Sequence, residues 1–238
     1  MPIIASKTPP ATRPRLLAAL AALVLSAAAL ALPGAARAAT LTVIGDVNAG
    51  SAANLRLYEN VLAGGRTVLF ARSFGQMTGV VGHYRTIGAD PVAHDTEITP
   101  GVLDGTDLLV MTANYNTFLD FSAVELAAMR DYGLAGGRIL MVTEAALAPV
   151  IDSYNAVLDA IGARIRFTGA RFAQTEVVGT LPDTVVTAGL GSFRVSPYNT
   201  LTGGTAAVQA SGGTAIAFET LGAPVPVPVP GAGPAMAG

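Results

Sequence analysis

A chain of 238 residues with no cysteine and a formal net charge of −2 excludes thiolate catalysis, disulfides and cysteine-ligated metals. Charged residues make up only 13% of it, and no basic stretch is dense enough to neutralise a phosphate backbone, so nucleic acid is not an expected partner. About two hundred residues remain beyond the N-terminal segment, enough for one α/β domain with a sizeable core.

Lys7, Arg13 and Arg15 precede an apolar run over residues 16–32, followed by Pro33-Gly34 and the small-residue site Ala36-Arg37-Ala38. This is the pattern of a signal peptide over residues 1–38, cut by signal peptidase before Ala39. The alternative is an uncleaved anchor, for which the Ala-rich core is short. Without a twin-arginine pair the general secretory route is expected. The mature protein is then extracellular or in the cell envelope, with the periplasm as the alternative.

Residues 41–44 read as a first buried strand. Residues 52–63 read as a helix capped by Ser51, with Leu55, Tyr58 and Leu62 on one face and Gly64-Gly65 as its stop. Residues 67–70 are a second strand, 77–87 a weaker helix, 91–94 a short strand, and 99–103 a turn of helix with Pro100 at its first position. Residues 107–111 are nearly all apolar, as a strand covered on both faces requires. Ser122 and Glu125 then form a capping box, with Phe121 and Leu126 as its hydrophobic staple. Gly136-Gly137 ends that helix, and residues 138–142 return to the sheet. Asp152 caps a helix bearing Tyr154, Val157, Leu158 and Ile161, closed by Gly162, and residues 163–167 form another strand. The alternation through residue 167 predicts a parallel α/β sheet. Beyond it, 176–178, 185–187, 206–210 and 214–218 are short β pieces, the last two joined by a hairpin loop at Ser211-Gly212-Gly213. Residues 222–238 form a Pro/Gly-rich tail, expected to be extended and disordered, in which proline at alternate positions denies helix and interior strand.

Ligands of open parallel sheets sit at the carboxyl ends of the strands, near the point where strand order reverses. Asp46, Arg72, Ser73, Asn114, Tyr115 and Glu144 all follow predicted strands and form the candidate binding edge. Loop capping and turn hydrogen bonding are the alternative role for these residue types. Gly45 and Gly50 have the spacing of a phosphate loop, but Ser51-Ala52 stands where Lys and Ser/Thr are required. Asp46-Val47-Asn48-Ala49-Gly50 has the opening of a calcium loop without the closing glutamate. His83 and His94 are the only histidines, and no second cluster has matching metal spacing, so no metal or other cofactor is expected. No G-x-S-x-G elbow is present. Tyr115 and Phe118 could stack on a sugar or form a lid over the core.

The segments RTVLFARSFGQ, GVLDGTDLLVMTANYNTFLDFSAVELAAMRDYGLAGGRILMVTE and YNAVLDAIGARIRF together resemble the class I glutamine amidotransferase-like superfamily. More narrowly they resemble its non-catalytic branch, found in gliding and intraflagellar-transport proteins and in exported bacterial proteins. TAGLGSFRV and NTLTGGTAAVQASGGTAIAFE fit the closing β region of that domain. The resemblance implies a flavodoxin-like three-layer parallel sheet over residues 39–221, with extra short strands near the C-terminus. It also implies a nucleophilic cysteine on the turn after the strand at 138–142, where this chain has Thr143-Glu144-Ala145. Glutamine hydrolysis by that route is therefore excluded.

A signal peptide, this domain and a tail reading APVPVPVPGAGPAMAG resemble the order of proteins with a PEP-CTERM-type sorting signal in its Val-Pro-rich variant. That resemblance implies recognition by an exosortase-type enzyme and delivery to the envelope or extracellular matrix. The chain departs from the pattern by reaching Gly238 without a transmembrane helix and basic cluster, so the tail is either truncated or that of a released protein. The expected function is an exported, non-enzymatic α/β domain, binding or structural, with an extracellular polysaccharide or envelope protein as partner. The alternative is a carbohydrate-active hydrolase or lyase of the envelope using carboxylates at the strand edge, with Asp46, Glu144 or His94 as its groups.

Overall fold

Five short segments build the parallel centre of the molecule, four of them almost wholly buried and the fifth, at the sheet edge, mostly exposed. The computed structural model describes residues 39–222; the leader and the Val-Pro tail lie outside the described residues. The strands are β1 (Thr40–Ile44), β2 (Thr67–Ala71), β3 (Asp90–His94), β4 (Leu108–Thr112) and β5 (Arg138–Val142). They are mutually parallel in the order β3-β2-β4-β5-β1. This mostly parallel sheet flanked by helices is compatible with a flavodoxin-like α/β fold. The first strand of the chain thus occupies the fifth position.

Alternate residues along each strand enter opposite layers, as the two-residue period of a pleated strand dictates. Val43, Leu109, Met111, Ile139 and Met141 face one layer, while Ile44, Leu108, Val110, Leu140 and Val142 face the other. Helices α1 (Leu55–Leu62) and α2 (Thr78–Thr86) supply Leu57, Tyr58, Val61, Val80 and Tyr84 to the second layer. Helices α3 (Pro100–Leu103), α4 (Ala123–Leu134) and α5 (Ala148–Ala160) supply Leu103, Met129, Val150, Tyr154 and Leu158 to the first. The capping box at the start of α4 is formed: Ser122 Oγ accepts from the Glu125 amide at 3.2 Å, and Glu125 Oε2 accepts from the Ser122 amide at 2.8 Å. Phe121 and Leu126 both pack in the same layer beside it.

Four local expectations are corrected. Ser51 has the extended backbone of an N-cap, but its side chain makes no cap bond, and the first turn is a 3-10 turn over Ala52–Asn54. Helix α5 begins at Ala148 rather than at Asp152, because Pro149 in its first turn costs no hydrogen bond and presets the helical φ. Residues 163–165 are a connection whose backbone is held by a side chain: Glu219 Oε1 accepts from the amides of Arg164 at 2.7 Å and Ile165 at 3.0 Å. Residues 185–187 form a turn, since the hydroxyls of Thr184 and Thr187 bond each other and nearby amides in place of a ladder.

The C-terminal third adds antiparallel strands to the β1 edge. These are β6 (Arg166–Phe172), β9 (Tyr198–Thr202), β10 (Thr205–Ala210) and β11 (Gly213–Thr220), with β7 (Glu176–Val178) and β8 (Phe193–Val195) as a separate pair. β11 pairs with β1, then β9 and β6 follow, and β10 folds back on β11 as the predicted hairpin. The strand after α5 therefore joins the far edge antiparallel instead of extending the parallel sheet. Gly45 makes this junction possible. A Cβ there would lie 2.1 Å from the Asn199 carbonyl oxygen, so only glycine lets the end of β1 run this close to β9. The Asn199 amide donates to the Gly45 carbonyl at 2.8 Å, and this contact aims the next residue, Asp46.

Candidate functional site

The helices after β2 and β4 pass to opposite faces of the sheet, and so do those after β1 and β5. Each pair leaves a crevice at the strand C-terminal edge, where backbone groups and short loops face outward.

In the β5/β1 crevice, Asp46 and Glu144 come together at the ends of their strands. Neither is open to solvent: Asp46 is 0% exposed and Glu144 1%. Asp46 Oδ1 accepts from the Asn48 amide and Oδ2 from the Ser196 amide, both at 2.7 Å. Glu144 Oε1 accepts from Arg171 Nε at 2.8 Å and pairs with its Nη2 at 2.7 Å, and the Val47 amide also donates to this carboxylate. Asn199 closes the floor, its Oδ1 accepting from the Ala145 amide at 2.7 Å and its Nδ2 donating to the Ala145 carbonyl at 2.9 Å. Each acid thus ties a parallel-strand loop to the antiparallel extension.

The electrostatics follow from this enclosure. Burial pushes the Asp46 carboxyl up to about 6; the Ser196 and Asn48 amides and Arg194 oppose the rise, and the Glu144 charge adds to it. Burial likewise raises Glu144, with Arg171 and the Val47 amide offsetting part of the rise. Folded Asp46 therefore holds a proton that the unfolded chain releases from an ordinary value of 3.8 upward. The unfolding free energy should fall as pH rises from near 4 to near 6, by about 3 kcal/mol from this group, and level off above. Urea unfolding across that range measures the slope, and Asp46→Ala should flatten it.

Around the β2/β4 crevice, Arg72 sits in the left-handed region at φ 74°. Its Nη1 donates to the Thr96 carbonyl at 2.6 Å, and its Nη2 reaches Glu125 Oε2 at 2.7 Å and the Asp120 carbonyl at 3.4 Å. The guanidinium also lies over the Phe121 ring, 5.2 Å from its centre. Arg72 thereby joins the loop after β2, the loop after β3 and the start of α4. Ser73 Oγ accepts from the Gly75 amide at 3.3 Å, and the Asn114 carbonyl accepts from the Thr117 amide at 3.0 Å, both within their own loops. The Tyr115 amide donates to Gln76 Oε1 at 3.1 Å.

The six edge residues fall into two groups. Arg171, whose guanidinium is 5.1 Å from the Tyr115 ring centre, links Tyr115 to Glu144 and so to Asp46. Arg72 belongs with Glu125, while Ser73 and Asn114 stay on the loop surface. His94 joins neither group; its Nε2 bonds Thr96 Oγ1 at 2.9 Å and the Glu97 carbonyl at 3.2 Å on the outer strand.

Sequence reasoning missed Arg171, Asn199, Ser196 and Asn116. Asn116 was open to discovery, because it follows β4 and is an asparagine in the left-handed region, at φ 59°. Its Oδ1 accepts from the Ala146 amide at 2.6 Å and its own amide donates to the Glu144 carbonyl at 3.1 Å, stitching the loops after β4 and β5 together. The other three lie on or beside antiparallel strands whose register no local pattern encodes.

Comparison of the chain with protein-family models and with curated proteins gives no match. The geometry is what bears on function.

On the stitched loops stand three large apolar side chains open to solvent: Tyr115 at 40%, Phe118 at 56% and Leu147 at 55% exposure. Among the described residues, no group of three or more His, Cys, Asp or Glu is placed to hold a metal ion. General acid and base work needs a carboxyl oxygen within reach of a substrate proton. Asp46 and Glu144 instead spend their oxygens on fixed protein donors, behind a surface that presents aromatic rings and an arginine.

Proposed function

We propose that the chain is an exported, non-enzymatic α/β domain that binds an extracellular polysaccharide or envelope component through its strand C-terminal edge. The observation that carries the reading is the division of labour at that edge. The two acids are enclosed and hydrogen-bonded to the frame, while Tyr115, Phe118 and Leu147 stay exposed on loops tied to each other by hydrogen bonds. Aromatic faces on a fixed loop suit the apolar faces of sugar rings, and the partly exposed Arg171 beside Tyr115 suits an acidic sugar. The flavodoxin-like arrangement is consistent with a class I glutamine amidotransferase-like domain of the non-catalytic kind, which we include in the proposal. Export by a signal peptide, and a Val-Pro tail read by an exosortase-type enzyme, complete it and place the protein at the envelope or in the extracellular matrix.

Affinity electrophoresis through gels containing alginate, xanthan, gellan or dextran tests the binding claim. Retardation by at least one acidic polysaccharide is expected, weakened about three- to tenfold by Tyr115→Ala or Phe118→Ala. Unchanged migration of the wild type in all four gels, or equal retardation of the double variant, contradicts the assignment of this face.

A further inference from the structure

We propose that a cleft at the opposite, strand N-terminal end of the sheet binds a small organic acid, its carboxylate held by Arg138 and its apolar body by the cleft walls. The cleft has a volume of about 350 Å³ and is lined by Arg138, Thr42, Asn60, Val61, Val185 and Val186, among others. Arg138 opens β5, in register with Thr40 of β1 and Leu108 of β4, so its backbone is fixed from both sides. Its Nη1 is buried and has no hydrogen-bond partner.

Among the described arginines, Arg138 alone has a buried guanidinium nitrogen without a hydrogen-bond partner. Arg56, Arg72, Arg164, Arg166 and Arg171 each pair with a carboxylate. Among the described residues, no acidic side chain lines the Arg138 cleft. The nearby Glu59 of α1 is already held by Arg56 at 2.6 Å and His83 at 2.9 Å. A guanidinium nitrogen withdrawn from water without an acceptor is destabilising, and an external anion is the partner that would relieve it.

The rest of the cleft specifies what kind of anion. A guanidinium presents parallel N–H groups that match the two oxygens of a carboxylate. Thr42 adds a polar residue to the lining. Val61, Val185 and Val186 make the other side apolar, which favours a short hydrocarbon body over a bare inorganic ion. Asn60 holds that wall in place, its Nδ2 donating to the carbonyls of Val186 at 3.0 Å and Ala188 at 2.8 Å. The volume is at the small end of the range of ligand sites, about 300–1,000 Å³, so the ligand is a compact one. This site is separate from the binding edge proposed above and stands whether or not that proposal does.

Calorimetric titration of the purified protein with sodium hexanoate tests the assignment, with hexanamide as the neutral isostere and sodium chloride matching ionic strength. Saturable one-to-one binding of hexanoate is expected, with hexanamide weaker by about tenfold or more. Arg138→Met should lower hexanoate affinity by about tenfold or more while the far-UV circular dichroism stays that of the wild type. Val185→Glu, at an exposed position on the rim, brings a competing carboxylate to the cleft and should weaken hexanoate binding as well. No saturable heat with hexanoate, or equal affinity in hexanamide, overturns the proposal. So does wild-type hexanoate affinity in Arg138→Met, or in Val185→Glu should the first variant fail to fold.

Discussion

Glu125→Ala is expected to lower the unfolding free energy by about 3–5 kcal/mol, the largest loss of any single change considered. The side chain is buried and serves three segments at once. Its Oε2 accepts from the Ser122 amide at 2.8 Å and from Arg72 Nη2 at 2.7 Å, and its Oε1 accepts from the Ile98 amide at 2.9 Å. Removing it abolishes the capping box, worth about 1 kcal/mol, and orphans a buried amide at about 1–3 kcal/mol. Arg72 also loses its counter-ion, a smaller loss because that guanidinium is partly exposed. Burial pushes the Glu125 carboxyl up, but the two amides and Arg72 together outweigh this and hold it below the usual range. Its contribution is therefore present at neutral pH and is lost on acidification below the ordinary carboxylate range, opposite in sign to that of Asp46. Urea unfolding at pH 7 measures the difference. A midpoint within experimental error of wild type would show that the capped start of α4 does not hold the β2/β4 crevice together.

Glu144→Ala should cost about 2–3 kcal/mol, at the low end for a buried pair because Arg171 reaches solvent and recovers hydration. Glu144→Gln keeps the volume and one acceptor and should cost about half as much. The direction is informative. An acid held in readiness for chemistry sits in an environment that raises its energy, and neutralising it commonly stabilises the fold at the expense of activity. Burial raises the Glu144 carboxyl too, but the Val47 amide and Arg171 both depend on it for a partner, so a net loss is expected. A gain in the melting temperature of Glu144→Gln would contradict the structural role assigned to it.

The parallel half of the fold was legible because its signals are local. The segment from Gly105 to Glu144 spells a buried strand, a cap, a helix, a glycine stop and another buried strand, and each signal spans at most a few residues. Helix α5 was located but its start was not, since Asp152 is as good a cap in composition as any, and only Pro149 marked the true first turn. The antiparallel extension was not legible in register. The approach of Gly45 to Asn199 joins positions more than one hundred and fifty residues apart, a contact that neither periodicity nor spacing reports. Half of the candidate site depended on it. Asp46 and Glu144 were placed at the edge by following their strands, but Arg171 and Ser196, which occupy their oxygens, arrive from β6 and the turn before β9. Whether a carboxylate is a free acid or part of the frame is decided by such partners, so residue type alone left both roles open.

On the function proposed above, the strand C-terminal edge binds without chemistry, its acids forming the frame beneath an aromatic surface. The decisive measurement is reducing-end release from an acidic polysaccharide that retards the protein in the gel, comparing wild type with Glu144→Gln and Asp46→Asn. No release above a protein-free control is expected for any of the three, with retardation weakened by substitution of Tyr115 or Phe118 instead. Release by the wild type that disappears in Glu144→Gln or Asp46→Asn would contradict it and make the enclosed pair the catalytic acids of a hydrolase or lyase.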